Sequence, residues 1–264
     1  MSTKSLKKLL GPRHASVEVS ETRGVRMLHL GGDAIQSSIL LDAPEALALH
    51  YTRAMMGFLL FHPEPREILM IGVGGGSIAR FVHHRLDSMR VTAVEINPQV
   101  VTAARAYFGL PPDDERMQVV VADGATYVPA HPLSCDVLLL DAFDDGESVG
   151  ALATPSFYDA CYAALHDDGV FVQNFIADEP KFSVYLKRIE ASFDGRVLCM
   201  PTGDRINMMV FGFKTGTRRV AIDGLKKTAA RLQRRLGLPF TNMVNDLLGA
   251  NERTSSYLKL TAID

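Results

Sequence analysis

Short apolar runs and longer amphipathic stretches alternate along most of this chain. Each apolar run is bounded by polar residues or glycine, which is typical of a buried strand. Such runs lie at residues 68–71, 91–94, 117–121, 137–140, 169–172, 196–200 and 206–213. Stretches with helical spacing of apolar residues separate most of them, at residues 78–86, 97–107, 155–165 and 180–192. This order predicts an α/β fold with a doubly wound, mostly parallel seven-stranded sheet, closed by an antiparallel edge.

The N-terminal part of the chain has a different pattern. Residues 15–41 alternate between apolar and polar positions, which predicts a small piece of two or three antiparallel strands. We expect a helix over residues 45–60 to follow it. Pro44 is a favourable start for that helix, and the His-Pro-x-Pro sequence at residues 62–65 would end it.

The C-terminal tail is predicted to form helices at residues 225–236 and 241–248. The first of these has an apolar stripe and a basic face. The basic residues are Lys226, Lys227, Arg231, Arg234 and Arg235. A face of this kind is usually solvated, so nucleic acid is not an expected partner. We therefore divide the chain into N-terminal strands with a lead-in helix (1–64), a central α/β domain (65–214) and a basic helical tail (215–264).

Composition narrows the class of protein. The chain has 264 residues, 47% of them hydrophobic, and a formal net charge of −2, so it can bury a large core and carries no overall basic field. No apolar run approaches about 18 residues, which predicts that nothing spans a membrane. Cys135, Cys161 and Cys199 lack metal-ligand spacing and are expected to be small buried hydrophobes. We expect a cytoplasmic protein without a metal site.

Glycines follow the first strand of the predicted sheet. Gly72, Gly74, Gly75 and Gly76 stand between that strand and the next helix. Glycine permits positive φ and lets a ligand approach the bare backbone, while the amides that open the helix are unpaired donors. The next strand ends in Glu95, where a carboxylate can accept hydrogen bonds from two ribose hydroxyls. Together these residues predict a nucleoside site.

Acidic residues also follow the next two strands. Asp123 and Gly124 come after one, and Asp141 comes after the other. The carboxyl ends of parallel strands meet at one crevice, so these acids should line the same pocket as Glu95. Three carboxylates would repel the pyrophosphate of NAD but would attract a sulfonium nucleoside.

The order of the motifs resembles the spermidine synthase (polyamine aminopropyltransferase) family over residues 15–214. The motifs are a β-rich N-terminal piece, His-Pro-x-Pro, the glycine turn, Val-Glu-Ile-Asn, Ala-Asp-Gly, Leu-Asp-Ala-Phe-Asp, Phe-Tyr and Gln-Asn. The resemblance implies a Rossmann-like core of the class I AdoMet-dependent methyltransferase type. It also implies decarboxylated S-adenosylmethionine or S-adenosylmethionine (AdoMet) as co-substrate, no metal, a polyamine-like amine as acceptor, and a homodimer.

The resemblance also assigns roles to residues of this chain. Glu95 would grip the ribose, and Asp123 with Gly124 would contact the adenine. Asp141 would accept the proton of the attacking amine, and Asp144 would help to hold that amine. His50, Tyr51 and Gln173 are expected to border the substrate. Asn174, next to Gln173 at the end of the fifth strand, is expected to face the same crevice.

Some positions differ from the family pattern. Gly75 replaces an Asp that anchors the aminopropyl amine, His50-Tyr51 replaces Tyr-His, and a nucleoside-binding Gln falls at about Ala15. An Asp at position 75 would repel the carboxylate of AdoMet, so Gly75 weakens discrimination against that donor. Aminopropyl transfer is the first hypothesis, AdoMet-dependent methyl transfer the second, and nucleoside binding without catalysis the third.

Overall fold

A seven-stranded sheet forms the centre of the protein. The structure is a computed structural model and describes residues 15–32, 35–142, 150–216 and 218–260. The strands of this sheet are β4 (Glu67–Ile71), β5 (Arg90–Glu95), β6 (Met117–Val121), β7 (Cys135–Leu140), β8 (Leu165–Ile176), β9 (Val197–Pro201) and β10 (Asn207–Phe213). They lie in the order β6-β5-β4-β7-β8-β10-β9. Only β10 breaks the parallel arrangement, since it runs antiparallel to both of its neighbours. The predicted sheet is confirmed.

Two smaller sheets accompany it. Three antiparallel strands form the N-terminal sheet, β1 (Val17–Thr22), β2 (Val25–Leu30) and β3 (Ile35–Leu40). Near the other end of the chain, β11 (Arg219–Ala221) pairs with β12 (Tyr257–Lys259). The short C-terminal pair has no counterpart in the sequence prediction, because three-residue strands leave no periodic signal.

Helices cover both faces of the central sheet. They are α1 (His50–Met55), α2 (Ser77–Arg85), α3 (Pro98–Tyr107), α4 (Gly124–Ala130), α5 (Pro155–Ala164), α6 (Phe182–Ser192), α7 (Ile222–Leu236) and α8 (Phe240–Ala250). A 3-10 helix, Met56–Leu60, continues α1. Side-chain caps begin some of these helices, for example Asn97 with Pro98 at α3 and Thr154 with Pro155 at α5.

Alternation along the strands sends side chains to two separate cores. On β4, Ile68 and Met70 join the core beneath α1, α2 and the C-terminal helices, whereas Leu69 and Ile71 join the core beneath α5 and α6. The same alternation on the other strands decides which strand-end residues face each other. Residues of α1, α7 and α8 pack in the same core as the central sheet. The packing therefore does not mark where one domain ends, and the domain boundaries at residues 64 and 214 remain a prediction.

The predicted helix over residues 45–60 is wrong in its first part, since α1 begins at His50. The Arg53 side chain donates to the carbonyl oxygens of Leu47 (2.6 Å) and Ala48 (2.7 Å). These carbonyls are thus paired with a guanidinium instead of the amides of a following helical turn. Helix α4 was not predicted, because it has seven residues and contains Pro129.

No helix in the described ranges is both long and apolar enough to cross a membrane.

A buried arginine connects α2 to two other segments. Arg80 is 2% exposed. Its Nε donates to the carbonyl of Pro44 at 2.8 Å, and its Nη1 donates to the carbonyl of Phe108. Burial lowers the pKa of Arg80 to about 10. The guanidinium therefore fixes α2, and with it the glycine turn, against the lead-in segment and the end of α3.

We expect Arg80→Met to lower the free energy of unfolding by about 2–4 kcal/mol, because the buried carbonyl of Phe108 and the partly buried carbonyl of Pro44 lose their donors. Denaturant titration measures this quantity. Arg85→Met, on the exposed end of the same helix, is the matched control and should change stability little. Equal stability of the two variants would contradict the role given to Arg80.

Candidate active site

A cleft opens at the carboxyl ends of β4, β5, β6 and β7. The empty space within it is about 990 Å³, which includes the open mouth. The predicted residues that line it are Tyr51, Gly72, Gly74, Glu95, Asp123, Gly124 and Asp141. The structure therefore brings together the start of α1 and the carboxyl ends of four neighbouring strands.

The glycine turn brings two strand ends into direct contact. Gly72 has φ +90°, and a Cβ atom placed on it would lie 2.2 Å from the carbonyl oxygen of Asp141. The amide of Asp141 in turn donates to the carbonyl of Ile71 at 2.9 Å. Only glycine fits at position 72, and its absence of a side chain sets how closely Asp141 approaches the turn.

Gly75 faces away from the cleft. A Cβ atom on it would lie 2.8 Å from Ser37 Oγ and 3.0 Å from Phe108 Cδ1, so the space next to it is filled by β3 and α3. Neither Gly75 nor Gly76 is among the residues that line the cleft. Gly75→Asp would therefore have to displace Ser37 before it could affect donor choice.

Glu95 is held by the backbone. Its Oε2 accepts from the amide of Val73 at 2.9 Å, and its Oε1 accepts from the amide of Asn97 at 3.0 Å. The side chain is 9% exposed. Each carboxylate oxygen keeps a further lone pair, so the group is fixed in place and can still accept two hydroxyl protons from a ligand.

Asp123 and Gly124 begin α4 at the edge of the cleft. Asp123 Oδ1 caps the helix by accepting from the amide of Ala125 at 2.8 Å. Gly124 is buried, and a Cβ on it would lie 2.5 Å from Ile71 Cγ2. Glycine thus lets the N-terminus of α4 sit directly on the end of β4, which places the Asp123 carboxylate beside the glycine turn.

Asp141 lies between a tyrosine and an asparagine. Asn174 Nδ2 donates to Asp141 Oδ1 at 3.1 Å. Tyr51 approaches from α1, and its hydroxyl also reaches the carbonyl of Gln36 at 3.0 Å. Burial raises the pKa of Asp141 to about 6, although the hydrogen bonds from Asn174 and Tyr51 oppose this rise. A carboxylate with this pKa can take a proton near neutral pH.

The other predicted residues lie elsewhere. His50 is exposed and lies beside Gly203, where a Cβ would be 3.6 Å from His50 Nδ1. Gln173 is 6% exposed and is not part of the cleft lining. Asp144 lies outside the described residues. The roles of His50, Gln173 and Asp144 in the site remain predictions.

Sequence reasoning missed one polar residue of the cleft, since Gln36 on β3 is part of its lining. Asn174, which the sequence places at the crevice together with Gln173, contacts Asp141. Strand alternation distinguishes the two, because β8 sends Val172 and Asn174 to one face and Gln173 to the other. Within the described residues, no group of histidine, cysteine and carboxylate side chains could hold a metal ion.

Known proteins of one family are similar to this chain. The family model described as spermine/spermidine synthase domain matches residues 48–209. A polyamine aminopropyltransferase from Chromobacterium violaceum is 42% identical over 242 residues, which cover 92% of this chain and 93% of that protein. The chain belongs to the spermine/spermidine synthase family. It is therefore a transferase.

Solved structures with the same fold include relatives of two kinds. A probable spermidine synthase from Corynebacterium glutamicum superposes with a TM-score of 0.68 and 22% identity, covering 90% of this chain and 92% of that one. Human methyltransferase-like protein 13 in complex with SAH superposes with a TM-score of 0.65 and 27% identity, covering 72% of this chain and 93% of that one. The synthase family shares its fold with methyltransferases, as the sequence analysis expected.

We expect Glu95→Ala to weaken binding of methylthioadenosine by about tenfold to a hundredfold, because a fixed bidentate acceptor is lost. Calorimetry at one salt concentration measures the dissociation constant. Glu67→Ala removes a carboxylate from the opposite end of β4 and should leave the affinity unchanged. Unchanged affinity in the folded Glu95→Ala protein would mean that the nucleoside binds elsewhere.

Proposed function

We propose that this protein transfers an aminopropyl group from decarboxylated AdoMet to a polyamine-like amine. The observation that carries the proposal is the charge of the cleft. Its described lining contains the carboxylates of Glu95, Asp123 and Asp141 and no basic side chain. Such a lining favours a ligand with several positive charges.

Charge distinguishes the two candidate donors. Decarboxylated AdoMet carries a sulfonium and an ammonium, whereas AdoMet also carries an α-carboxylate. That carboxylate would enter a cleft whose described side chains include three acids and no basic group to pair with it. The same acids attract an acceptor amine, which arrives protonated at neutral pH. The lining thus supports both the decarboxylated donor and an amine acceptor.

Asp141 is the group that we assign to proton transfer. An ammonium acceptor gives one proton to the Asp141 carboxylate and becomes a neutral amine with a free lone pair. The nitrogen then attacks the methylene carbon beside the sulfonium, so a C–N bond forms while the C–S bond breaks. The bonding electrons stay on sulfur, and methylthioadenosine leaves as a neutral thioether. Asp144, if it acts with Asp141, would hold the amine.

The raised pKa of Asp141 sets the pH dependence. The base must be ionised, so the rate should be constant well above pH 6 and fall as the pH drops through about 6. The stability of the folded protein should change with pH in the opposite direction. Because the folded-state pKa exceeds the ordinary value of 3.8, the buried charge costs stability at neutral pH, and that cost disappears as the pH falls toward 3.8.

We expect Asp141→Asn to lower kcat by about 10²–10⁴, because the amide has the shape of the carboxylate but cannot accept the proton. The same variant should be at least as stable as the parent at pH 7, since the desolvated charge is gone. Steady-state assays with a diamine and decarboxylated AdoMet, together with thermal unfolding, measure both effects. Full activity of this variant at every pH would remove Asp141 from the mechanism.

Methyl transfer from AdoMet is the second candidate. The structural likeness to human methyltransferase-like protein 13 supports it. A methyltransferase should prefer AdoMet as its donor. The two functions therefore differ in the ratio of the two donor affinities.

We expect the parent protein to bind decarboxylated AdoMet at least tenfold more tightly than AdoMet, a difference of about 1.4 kcal/mol. The measurement is calorimetry with both donors in one buffer. Raising the salt concentration should reduce the preference, since charge causes it. Tighter binding of AdoMet, with methyl transfer to any amine, would establish the second candidate instead.

A homodimer and a cytoplasmic location remain part of this proposal.

A further inference from the structure

The register of β7 and β8 places Asn174 beside Asp141. The two strands pair in parallel, with Leu140 opposite Gln173 at the end of the ladder. The residues that come next are Asp141, directly after β7, and Asn174 on β8. Side chains alternate along both strands, so this pair projects from the face that α1 covers, where Val172 and Leu139 join the core.

Asn174 is buried and only half satisfied. It is 4% exposed, and its Nδ2 donates to Asp141 Oδ1 at 3.1 Å. Its own Oδ1 is buried and accepts no hydrogen bond from the described residues. An unpaired buried oxygen costs stability, so packing alone would be better served by leucine, which has a similar shape. What asparagine provides at position 174, and leucine could not, is the hydrogen bond to Asp141.

Tyr51 cannot replace that bond. Its hydroxyl has a single proton and two acceptors, the carbonyl of Gln36 at 3.0 Å and the carboxylate of Asp141. The Asn174 amide has no second acceptor in the described structure, so its N–H is directed at Asp141. The orientation of the carboxylate therefore depends on Asn174 more than on Tyr51.

We propose that Asn174 is a positioning residue for the transfer step. Its amide N–H holds Oδ1 of Asp141, so that Oδ2 faces the cleft and takes the proton of the acceptor amine. This inference rests on the proposed aminopropyl transfer and adds to it the group that orients the base. The atoms that react belong to the amine, the donor and Asp141, and Asn174 contacts only Asp141.

The hydrogen bond also keeps Asp141 ionised. Burial is the main cause of the raised pKa of Asp141, and the Asn174 amide lowers that pKa. The other titratable groups around the cleft are Tyr51 from α1 and the acids Glu95 and Asp123 at neighbouring strand ends. Neither acid can stabilise a negative charge, so loss of the amide should raise the pKa of Asp141 further.

The test uses two substitutions of similar shape. Asn174→Leu removes both the donor and the acceptor, and Asn174→Asp replaces the neutral amide donor with a second acid, which at this distance must share a proton with Asp141. For both variants we expect kcat at pH 7 to fall about tenfold to a hundredfold, the effect of one lost hydrogen bond to a charged group. The acid limb of the pH–rate profile should move to higher pH, whereas methylthioadenosine affinity should change less than twofold.

A purely structural role would give a different result. Lower stability and lower donor affinity with an unmoved acid limb would overturn the proposal, as would full activity of Asn174→Asp. If Asn174→Leu fails to fold, Asn174→Asp alone provides the comparison.

A second measurement does not depend on activity. Carbon-13 NMR of aspartate carboxyl groups, with Asp141→Asn to assign the signal, reports the titration of Asp141 directly. We expect this titration to move to higher pH in both Asn174 variants, and an unmoved titration would overturn the proposal. If the parent transfers no aminopropyl group to any amine, the proposed function fails, while the NMR result still decides whether Asn174 controls Asp141.

Discussion

The close approach of two backbones at the end of the sheet is the constraint on which the site depends. At Gly72 the chain turns away from β4 so near the carbonyl of Asp141 that no side chain fits between them. The same contact brings the proposed nucleoside site and Asp141, the proposed base, to adjacent strand ends. A larger residue at position 72 would push the ends of β4 and β7 apart, and this movement would break hydrogen bonds of the ladder that joins the two strands.

The three acids of the cleft differ in how they are held. Backbone amides fix Glu95 and Asp123, and such donors belong to the fold and cannot rotate away. Asp141 is held by side chains, and burial raises its pKa to about 6. Carboxylates of one chemical type thus acquire two roles from their surroundings. The first two are suited to constant hydrogen-bond acceptance and the third to a change of protonation.

The sequence predicted the central sheet, its reversed edge and the acids at its strand ends, since each leaves a strong local pattern. Contacts between segments distant in sequence were not predictable in this way. Ser37 fills the space beside Gly75, and Arg53 pairs the carbonyls that a longer α1 would have used. The sequence placed both Gln173 and Asn174 at the crevice, whereas the pleat of β8 turns only Asn174 toward Asp141.

The reversed direction of β10 has a consequence for divergence within the family. An antiparallel strand brings its beginning to the edge where the parallel strands end, so the connection from β9 to β10 lies on the side of His50. The proposed nucleoside site belongs to the first half of the sheet, whereas this connection belongs to the second half. Insertions or substitutions in this connection can therefore change which acceptor fits beside α1 without changing the proposed donor site. The range of acceptors can then diverge within the family while donor binding stays the same.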